Sequence, residues 1–237
     1  MDNDLPLFSL MVKLWNTPAG GVFIPFFAGN WVHGLAGASY RAYLTSRPSR
    51  LRNTIKRRTR HFLDSNRGHL NLILGGDSLE AGITDYVTIY KRSWKQEEPF
   101  PDFIPRLLRL SANRGWLRLG IARYDNKPVA SQIWLISHGT AYIFKLAYDE
   151  DFKHLSPGTV LTAFMMEQII DKDGITQIDY LSGDDDYKRD WMSLRRERQG
   201  IAAYNPLTIR GAGMLVGRAL RTLFKQSRPT TTGGSRL

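Results

Sequence analysis

The spacing of hydrophobic and polar residues changes several times along the chain, and each change predicts a different element. Helical spacing predicts the helices, and short apolar or alternating runs predict the strands. The predicted order is helix, strand, helix, helix, three strands, helix, strand, short helical turn, strand and a last helix. This order differs from the regular alternation of a doubly wound fold. It predicts an α+β fold with a mixed, mostly antiparallel twisted sheet flanked by helices.

The three consecutive strands form the clearest local pattern. They are predicted over Trp116–Asp125, Lys127–His138 and Thr140–Asp149. Asp125-Asn126 and His138-Gly139 are tight-turn signals between them. The sequence therefore predicts an antiparallel meander.

The remaining chain is organised around a stretch that begins on the third of these strands. The loop Glu150–Gly158 leads into a predicted helix over Thr159–Ile170, a strand over Gln177–Gly183 and a charged turn over Asp184–Trp191. Ser156 is predicted to cap the helix, with Pro157 at its first position. Because a helix start has unpaired N–H groups, this point is predicted to bind an anion.

A basic helix is predicted earlier in the chain, beginning at Pro48. Leu51, Ile55 and Phe62 lie on one face at helical spacing. The other positions carry six cations, which are Arg50, Arg52, Lys56, Arg57, Arg58 and Arg60. This surface is open to two interpretations, a site for nucleic acid or anionic lipid and an ordinary solvated face.

The predicted organisation has four segments. Residues 1–38 are an N-terminal remnant of an upstream domain or edge strands, and residues 39–66 are a basic connecting helix. Residues 67–208 form the main domain. Residues 209–237 form a C-terminal basic helix and a disordered tail.

Composition narrows the chemistry. The net charge of +11 favours anionic partners, and the absence of cysteine excludes disulfides and thiolate chemistry. The five histidines are scattered, so no metal site is expected. No apolar run approaches about 18 residues, the length of a membrane-spanning helix. We expect a cytoplasmic protein, or one held at the inner face of the membrane.

Five separated segments resemble the GNAT acyltransferase fold, in the FemAB-like branch that includes domains associated with the polysaccharide-biosynthesis protein CelD. They are Ser46–Arg58, Ser93–Lys95, Lys127–Trp134, Phe144–Leu161 and Asp179–Trp191. The resemblance implies transfer of an acyl group from acyl-coenzyme A to an amine or hydroxyl. In relatives that build peptidoglycan bridges, the donor is an aminoacyl-tRNA instead.

The resemblance also implies where the donor binds. The pantetheine pairs with a splayed strand and the pyrophosphate lies at a helix start. In this chain the corresponding residues are Lys145, Leu146, Ala147, Tyr148, Ser156, Pro157, Gly158 and Thr159. The usual glycine-rich signature is absent and Ser-Pro-Gly-Thr stands in its place.

The charged turn supplies the predicted catalytic residues. Tyr187 corresponds to a tyrosine that protonates the leaving thiolate in related folds, or it packs under the sheet edge. Lys188 would stabilise negative charge, or pair with neighbouring acids. Asp184, the acid nearest the strand, would orient or deprotonate the acceptor, or lie in a solvated turn.

Two further residues are predicted to contact the substrate, each with an alternative. Asp149 shares a strand face with Lys145, so the two either bind ligands or pair with each other. Trp94 either contacts substrate or, like Trp191, anchors the core.

The expected function is therefore acyl-CoA-dependent acylation of a small molecule or glycan precursor in envelope or polysaccharide biosynthesis. Two alternatives remain, an aminoacyl-tRNA-dependent transferase and a truncated, non-catalytic anion-binding module. The basic helix over residues 50–60 is predicted to contact an anionic membrane surface or tRNA, and no DNA partner is expected.

Overall fold

The computed structural model describes residues 22–64 and 66–226, which form a seven-stranded sheet with helices. The strands are β1 Val22–Gly34, β2 Gly68–Ile73, β3 Leu117–Tyr124, β4 Lys127–Ser137, β5 Thr140–Tyr148, β6 Gln177–Ser182 and β7 Leu194–Tyr204. The helices are α1 Tyr40–Thr45, α2 Ser49–Leu63, α3 Leu79–Lys91, α4 Phe103–Asn113, α5 Pro157–Lys172, α6 Asp186–Trp191 and α7 Ile209–Gln226. Short 3₁₀ helices span Gly76–Ser78 and Glu150–Leu155.

The strands lie in the order β2-β3-β4-β5-β6-β1-β7. Pairing is antiparallel from β2 through β5, parallel between β5 and β6, and antiparallel between β6 and β1. The predicted α+β fold with a mixed, mostly antiparallel sheet is confirmed. Contacts divide the chain into two units, residues 29–196 and a second unit whose described residues are 22–28 and 197–226.

The meander β3-β4-β5 is joined by two-residue turns at the predicted positions. Asp125 and Asn126 have φ of 50° and 61°, and His138 and Gly139 have φ of 48° and 71°. Two consecutive residues with positive φ make the turn whose twist matches that of paired strands. These turns fix the register of the strand that carries the candidate site.

Helices cover both faces of the sheet. In β3, Leu119 and Ile121 belong to the core formed with α3 and α4, while Ala122 belongs to the core formed with α2 and α5. Gly120 faces α5, where a Cβ atom would lie 2.5 Å from Met165 Sδ. The period of two along the strand therefore produces two separate cores.

The segment predicted as one basic helix contains two helices, α1 and α2. The helix is interrupted between them just before Pro48, because proline disfavours helical backbone in the residue that precedes it. Leu51, Ile55 and Phe62 of α2 are buried, as their spacing predicted. Arg47, at the break, is also buried.

The two ends of the chain differ in part from the predictions. β1 lies between β6 and β7, so this strand is interior rather than at an edge. Residues 1–21 of the predicted N-terminal segment and residues 227–237 of the predicted tail lie outside the described residues. Across the two described ranges, every helix is too short or too polar to cross a membrane.

Candidate active site

A cleft opens where β5 and β6 separate. The two strands pair in parallel only at Thr140 with Gln177, Ala141 with Ile178 and Tyr142 with Asp179. Beyond this point a cavity of about 700 Å³ lies between the remaining residues of the strands. Its lining includes Ile143, Phe144, Lys145, Leu146 and Tyr148 from β5, and Tyr180, Leu181 and Ser182 from β6. The divergence of two neighbouring strands thus creates the site.

A buried polar network bends β6 away from β5. Leu181 has a φ of 55°, in the left-handed region that is unfavourable for a branched side chain. The carboxylate of Asp179 accepts hydrogen bonds from the Leu181 N–H at 2.6 Å and from Asn30 Nδ2 at 2.7 Å. Asn30 Nδ2 also donates to the Leu181 carbonyl at 2.9 Å. These bonds, made at a bulge in β1, hold the bend in place.

The start of α5 forms one wall of the cleft. Pro157 is the first helical residue, and Gly158 and Thr159 line the cavity. A Cβ atom on residue 158 would lie 3.3 Å from Tyr148 Cδ1, so glycine lets the strand and the helix start approach closely. The buried Gln132 of β4 donates to the Gly158 carbonyl at 3.2 Å and to Thr162 Oγ1 at 2.6 Å. This wall is therefore bonded directly to the sheet.

The α6 turn forms the opposite wall. Lys188 is 5% exposed, and its ammonium donates to the carbonyls of Ser182 and Gly183 at 3.4 Å and pairs with Asp185 at 3.1 Å. Gly183 has a φ of 128°, and a Cβ atom there would lie 2.6 Å from Lys188 Nζ. The glycine therefore makes room for the buried cation.

Tyr187 lies on the same turn and lines the cleft. Its ring packs edge-on against Tyr180 with 5.9 Å between centroids, and the side chain remains 44% exposed. Burial, with a smaller contribution from Asp185, raises the pKa of the Tyr187 hydroxyl to about 12. The phenol is therefore protonated at neutral pH and can donate a proton.

Similarity to known proteins agrees with this geometry. The sequence profile of the acetyltransferase (GNAT) domain family matches residues 49–189, which include both walls of the cleft. The chain belongs to this family. No curated protein matches the chain by sequence.

Solved structures support the same fold. FemX aligns with a TM-score of 0.59 and 10% identity, over 79% of this chain and 63% of its own. The C-terminal domain of a putative lysylphosphatidylglycerol synthetase from Agrobacterium fabrum aligns with a TM-score of 0.56 and 11% identity, over 84% of this chain and 66% of its own. A glucosamine N-acetyltransferase region of a fungal β-N-acetylglucosaminidase gives 0.53 at 12% identity, covering 86% and 24%. This chain therefore aligns with less than two thirds of each of the first two solved structures.

Most predicted donor residues line the cleft of the GNAT domain. Lys145, Leu146, Tyr148, Gly158 and Thr159 do so, whereas Ala147, Ser156 and Pro157 are not among the described lining residues. Ser156 occupies the N-cap position with a φ of 55°, and its side chain makes no capping hydrogen bond to the described helix. The prediction that the Ser156 side chain caps α5 is therefore wrong, and its left-handed backbone differs from the extended backbone that a capping residue ordinarily has.

The turn's acidic residues are arranged differently from the prediction. Asp184 receives three hydrogen bonds of 2.6 to 3.0 Å from the Arg195 guanidinium and one of 3.0 Å from Trp31 Nε1. The bond from Arg195 also lowers the pKa of this carboxyl group. Asp184 is not among the described lining residues, and Asp185 is the neighbouring acid that lines the cleft.

Lys145 and Asp149 do not pair with each other. The interpretation that they form an ion pair along one strand face is therefore wrong. Lys145 pairs with Glu98, and Asp149 is 3.4 Å from Arg92 Nη1. Asp149 is only 1% exposed and caps the 3₁₀ helix after β5 by accepting from the Asp151 N–H. The described lining of the cleft does not include it, so its predicted contact with substrate is not supported.

The two tryptophans have different environments. Trp191 is buried and anchors the core, as predicted, and Trp94 is 51% exposed. Both side chains line the cleft. The ring of Trp94 lies 4.6 Å from that of Tyr148. The core alternative for Trp94 is therefore wrong, and its contact with substrate stays a prediction.

Several lining residues were not predicted from sequence, among them Arg50, Lys95, Gln132, Tyr180 and Asp185. Lys95 lies in a segment that resembles the family, so its motif was a usable signal. Gln132 also lay in such a segment, but only its bonds to α5 reveal its role. Across the described residues, no group of three or more His, Asp or Glu side chains could hold a metal ion.

Proposed function

We propose that this GNAT domain transfers an acyl group, in the simplest case acetyl, from acyl-coenzyme A to an amine or hydroxyl. The observation that carries the proposal is the cleft, which joins the α5 start to Tyr187 and Lys188 across two separating strands. A thioester donor with a phosphate-bearing tail needs an anion site and a charge-stabilising site along one groove. This groove contains groups suited to both.

The donor's pyrophosphate suits the α5 start. The N–H groups of Gly158 and Thr159 belong to the first helical turn, where they have no helical partner and favour an anion. The lining residues of β5 offer peptide groups to an extended chain, as a sheet edge does for a bound strand. The residues present therefore fit coenzyme A.

The α6 turn suits the chemical step. The acceptor nitrogen or oxygen attacks the thioester carbonyl carbon and the C–S bond breaks. The Lys188 ammonium stabilises negative charge on the carbonyl oxygen. The Tyr187 hydroxyl gives its proton to the departing sulfur, and Asp185 takes up the acceptor's proton.

We further propose an acceptor from envelope or polysaccharide biosynthesis, either a small molecule or a glycan precursor. Support for this setting comes from the resemblance to FemAB-like and CelD-like domains. Acyl-coenzyme A is a cytoplasmic metabolite, so the domain would act in the cytoplasm or at the inner face of the membrane.

Isothermal titration with acetyl-CoA and coenzyme A, at low and moderate salt, tests the donor site. We expect saturable binding that survives moderate salt. Gly158→Glu should abolish it, because a carboxylate would occupy the anion site. Gly158→Ala, whose Cβ needs only a small shift of Tyr148, should retain most of the affinity.

Thermal unfolding of both variants provides the control for folding. Binding that is equal in wild type and in folded Gly158→Glu would exclude the α5 start as the donor site. No binding of either ligand to the wild type would overturn the proposal and favour a non-catalytic module.

A second candidate is transfer from an aminoacyl-tRNA. The observation that favours it is the exposed row of Lys56, Arg57 and Arg60 on α2, the helix whose Arg50 lines the cleft. Filter binding should then detect tRNA affinity that falls steeply with salt. The triple exchange of Lys56, Arg57 and Arg60 to Gln should weaken it, and unchanged affinity would exclude this surface.

A further inference from the structure

Lys95 is a cleft residue with no role in the chemistry described above. It lies in the loop between α3 and α4, is half-buried and lines the cleft. Its ammonium is 5.7 Å from the centroid of the Trp94 ring, which in turn packs on Tyr148. The loop therefore presents a cation and a half-exposed aromatic surface together.

The cation of Lys95 lacks the compensation that the neighbouring lysines have. Lys145 pairs with Glu98, and Lys188 pairs with Asp185. Lys95 forms no ion pair with any residue that the structure describes. Among these three lysines and two acids the positive charges exceed the negative ones by one, and the other charged lining residues are one cation, Arg50, and one acid, Asp190.

The electrostatic surroundings of Lys95 agree with this description. Burial lowers the pKa of Lys95, and the charges of Lys145 and Lys188 lower it further. Glu98 and Asp185 act in the opposite direction. A bound anion would stabilise the charged form of Lys95 against burial and the neighbouring positive charges.

The charged neighbours of Lys95 are Lys145, Glu98, Asp185 and Lys188, and none of them belongs to α5. Phe144 of β5 packs with the core of α3 and α4, and the Lys145 ammonium lies 5.3 Å from the ring of Tyr90 in α3. Helices α2 and α5 pack on the other core. One bound molecule could place its phosphates at the α5 start while a second approached Lys95 from the loop after α3.

We propose that Lys95 binds an anionic group, a carboxylate or a phosphate, of the acceptor substrate, with Trp94 contacting the adjoining part of that molecule. The inference rests on the proposed function, which assigns the α5 start to the donor. The acceptor class is thereby narrowed to amines or alcohols that also carry an acidic group.

The chemical reactivity of Lys95 tests this assignment in the intact protein. Amine acetylation by N-hydroxysuccinimidyl acetate, read at each lysine by peptide mass spectrometry, would be followed with inorganic phosphate in the presence and absence of saturating coenzyme A. Phosphate at ten times its Kd should slow modification of Lys95 by about tenfold in both cases. Lys91, an exposed lysine at the end of α3, should be unaffected.

The comparison with and without coenzyme A distinguishes the two possible anions at Lys95, a group of the acceptor and a phosphate of the donor. Coenzyme A alone should leave Lys95 reactive. Protection by coenzyme A alone, or phosphate protection that disappears once coenzyme A is bound, would mean that Lys95 holds a donor phosphate and would overturn the proposal. A lack of protection by phosphate in both arms would overturn it as well.

Variants provide an independent readout. Titration of the coenzyme A-saturated protein with phosphate should show an affinity loss of about tenfold or more in Lys95→Met, since a charge-assisted contact is removed. Lys95→Arg should retain binding, and Lys91→Met is the matched control. Unchanged phosphate affinity in Lys95→Met would overturn the inference.

The proposed function and this inference fail separately. If coenzyme A does not bind at all, the donor assignment falls, while phosphate protection of Lys95 in its absence still supports an anion subsite. If coenzyme A binds and phosphate does not protect Lys95, only the subsite falls.

Discussion

The two walls of the cleft are built from contacts of very different range. On the α5 side, Thr162 Oγ1 donates to the Gly158 carbonyl one helical turn earlier, and Gln132 connects both to the neighbouring meander. On the β6 side, the bend depends on Asp179 and Asn30, which are 149 residues apart. One wall is largely local, and the other needs the whole sheet to be assembled.

This difference predicts how each wall responds to substitution. Local bonds can be replaced by others within the same helix or hairpin. A buried network has no replacement bonds of this kind, because each lost partner leaves a buried polar group with neither a protein nor a water hydrogen-bond partner. The β6 wall, which carries the candidate catalytic residues, should therefore be the more sensitive of the two.

The largest effect is expected for Asp179→Ala. It removes the acceptor for Asn30 Nδ2 and the Leu181 N–H in a site that is 3% exposed, so the free energy of unfolding should fall by about 3 kcal/mol. Urea unfolding measures this loss. Asp186→Ala, at an exposed acid close by, is the control, and equal losses in the two variants would contradict the role of the network.

Lys188→Met tests the chemistry of the same wall. With any acceptor that supports release of coenzyme A, the variant should lower kcat by about 1000-fold and leave the KM for acetyl-CoA nearly unchanged, because a charge that acts in the transition state is lost. The release of free thiol measures the rate. A raised KM with a normal kcat would instead assign Lys188 to donor binding.

Tyr187→Phe should lower kcat by about 100-fold, through loss of the proton donor. The pKa of Tyr187 is raised to about 12, so its hydroxyl stays protonated, and the loss should be constant from pH 6 to about pH 10. Rates measured across this range test the assignment. A wild-type rate that falls between pH 8 and 9, with no such fall in Tyr187→Phe, would contradict the raised pKa.

The smallest effect is expected on the α5 wall. Ser156→Ala should change the free energy of unfolding by less than about 0.5 kcal/mol, because Ser156 makes no capping bond to the described helix. Ser39→Ala is the comparison, since Ser39 accepts from the Ala42 N–H at 3.4 Å and its loss should cost about 0.5 to 1 kcal/mol. An equally large loss for Ser156 would show that the hydroxyl caps α5 in solution.

The parts of the molecule that were predictable depend on short-range chemistry. A few neighbouring residues determine each of these features. They are the turns at Asp125-Asn126 and His138-Gly139, the start of α5 at Pro157 and the buried face of α2. The predicted positions of Tyr187, Lys188 and Gly158 in one cleft came from the resemblance to a family, and all three line it.

Other features depend on partners that local sequence does not specify. Lys145 and Asp149 looked like a pair along one strand, yet each bonds a residue from the segment after α3. Asp184 and Asp185 are adjacent residues of the same type. The bonds from Arg195 and Trp31 determine that Asp184 is the one held outside the cleft.

The sequence by itself determined the elements, their order and the helix start beside a strand, because backbone preferences and hydrophobic spacing act over a few residues. The family resemblance implied a splayed strand, but only the tertiary structure decided how β5 and β6 are held apart, since Asn30 from a distant strand bonds the bend at Leu181. It also decided that Lys95 faces the cleft without an acid partner among the described residues. These features require groups far apart in the chain to meet, which local periodicity does not record.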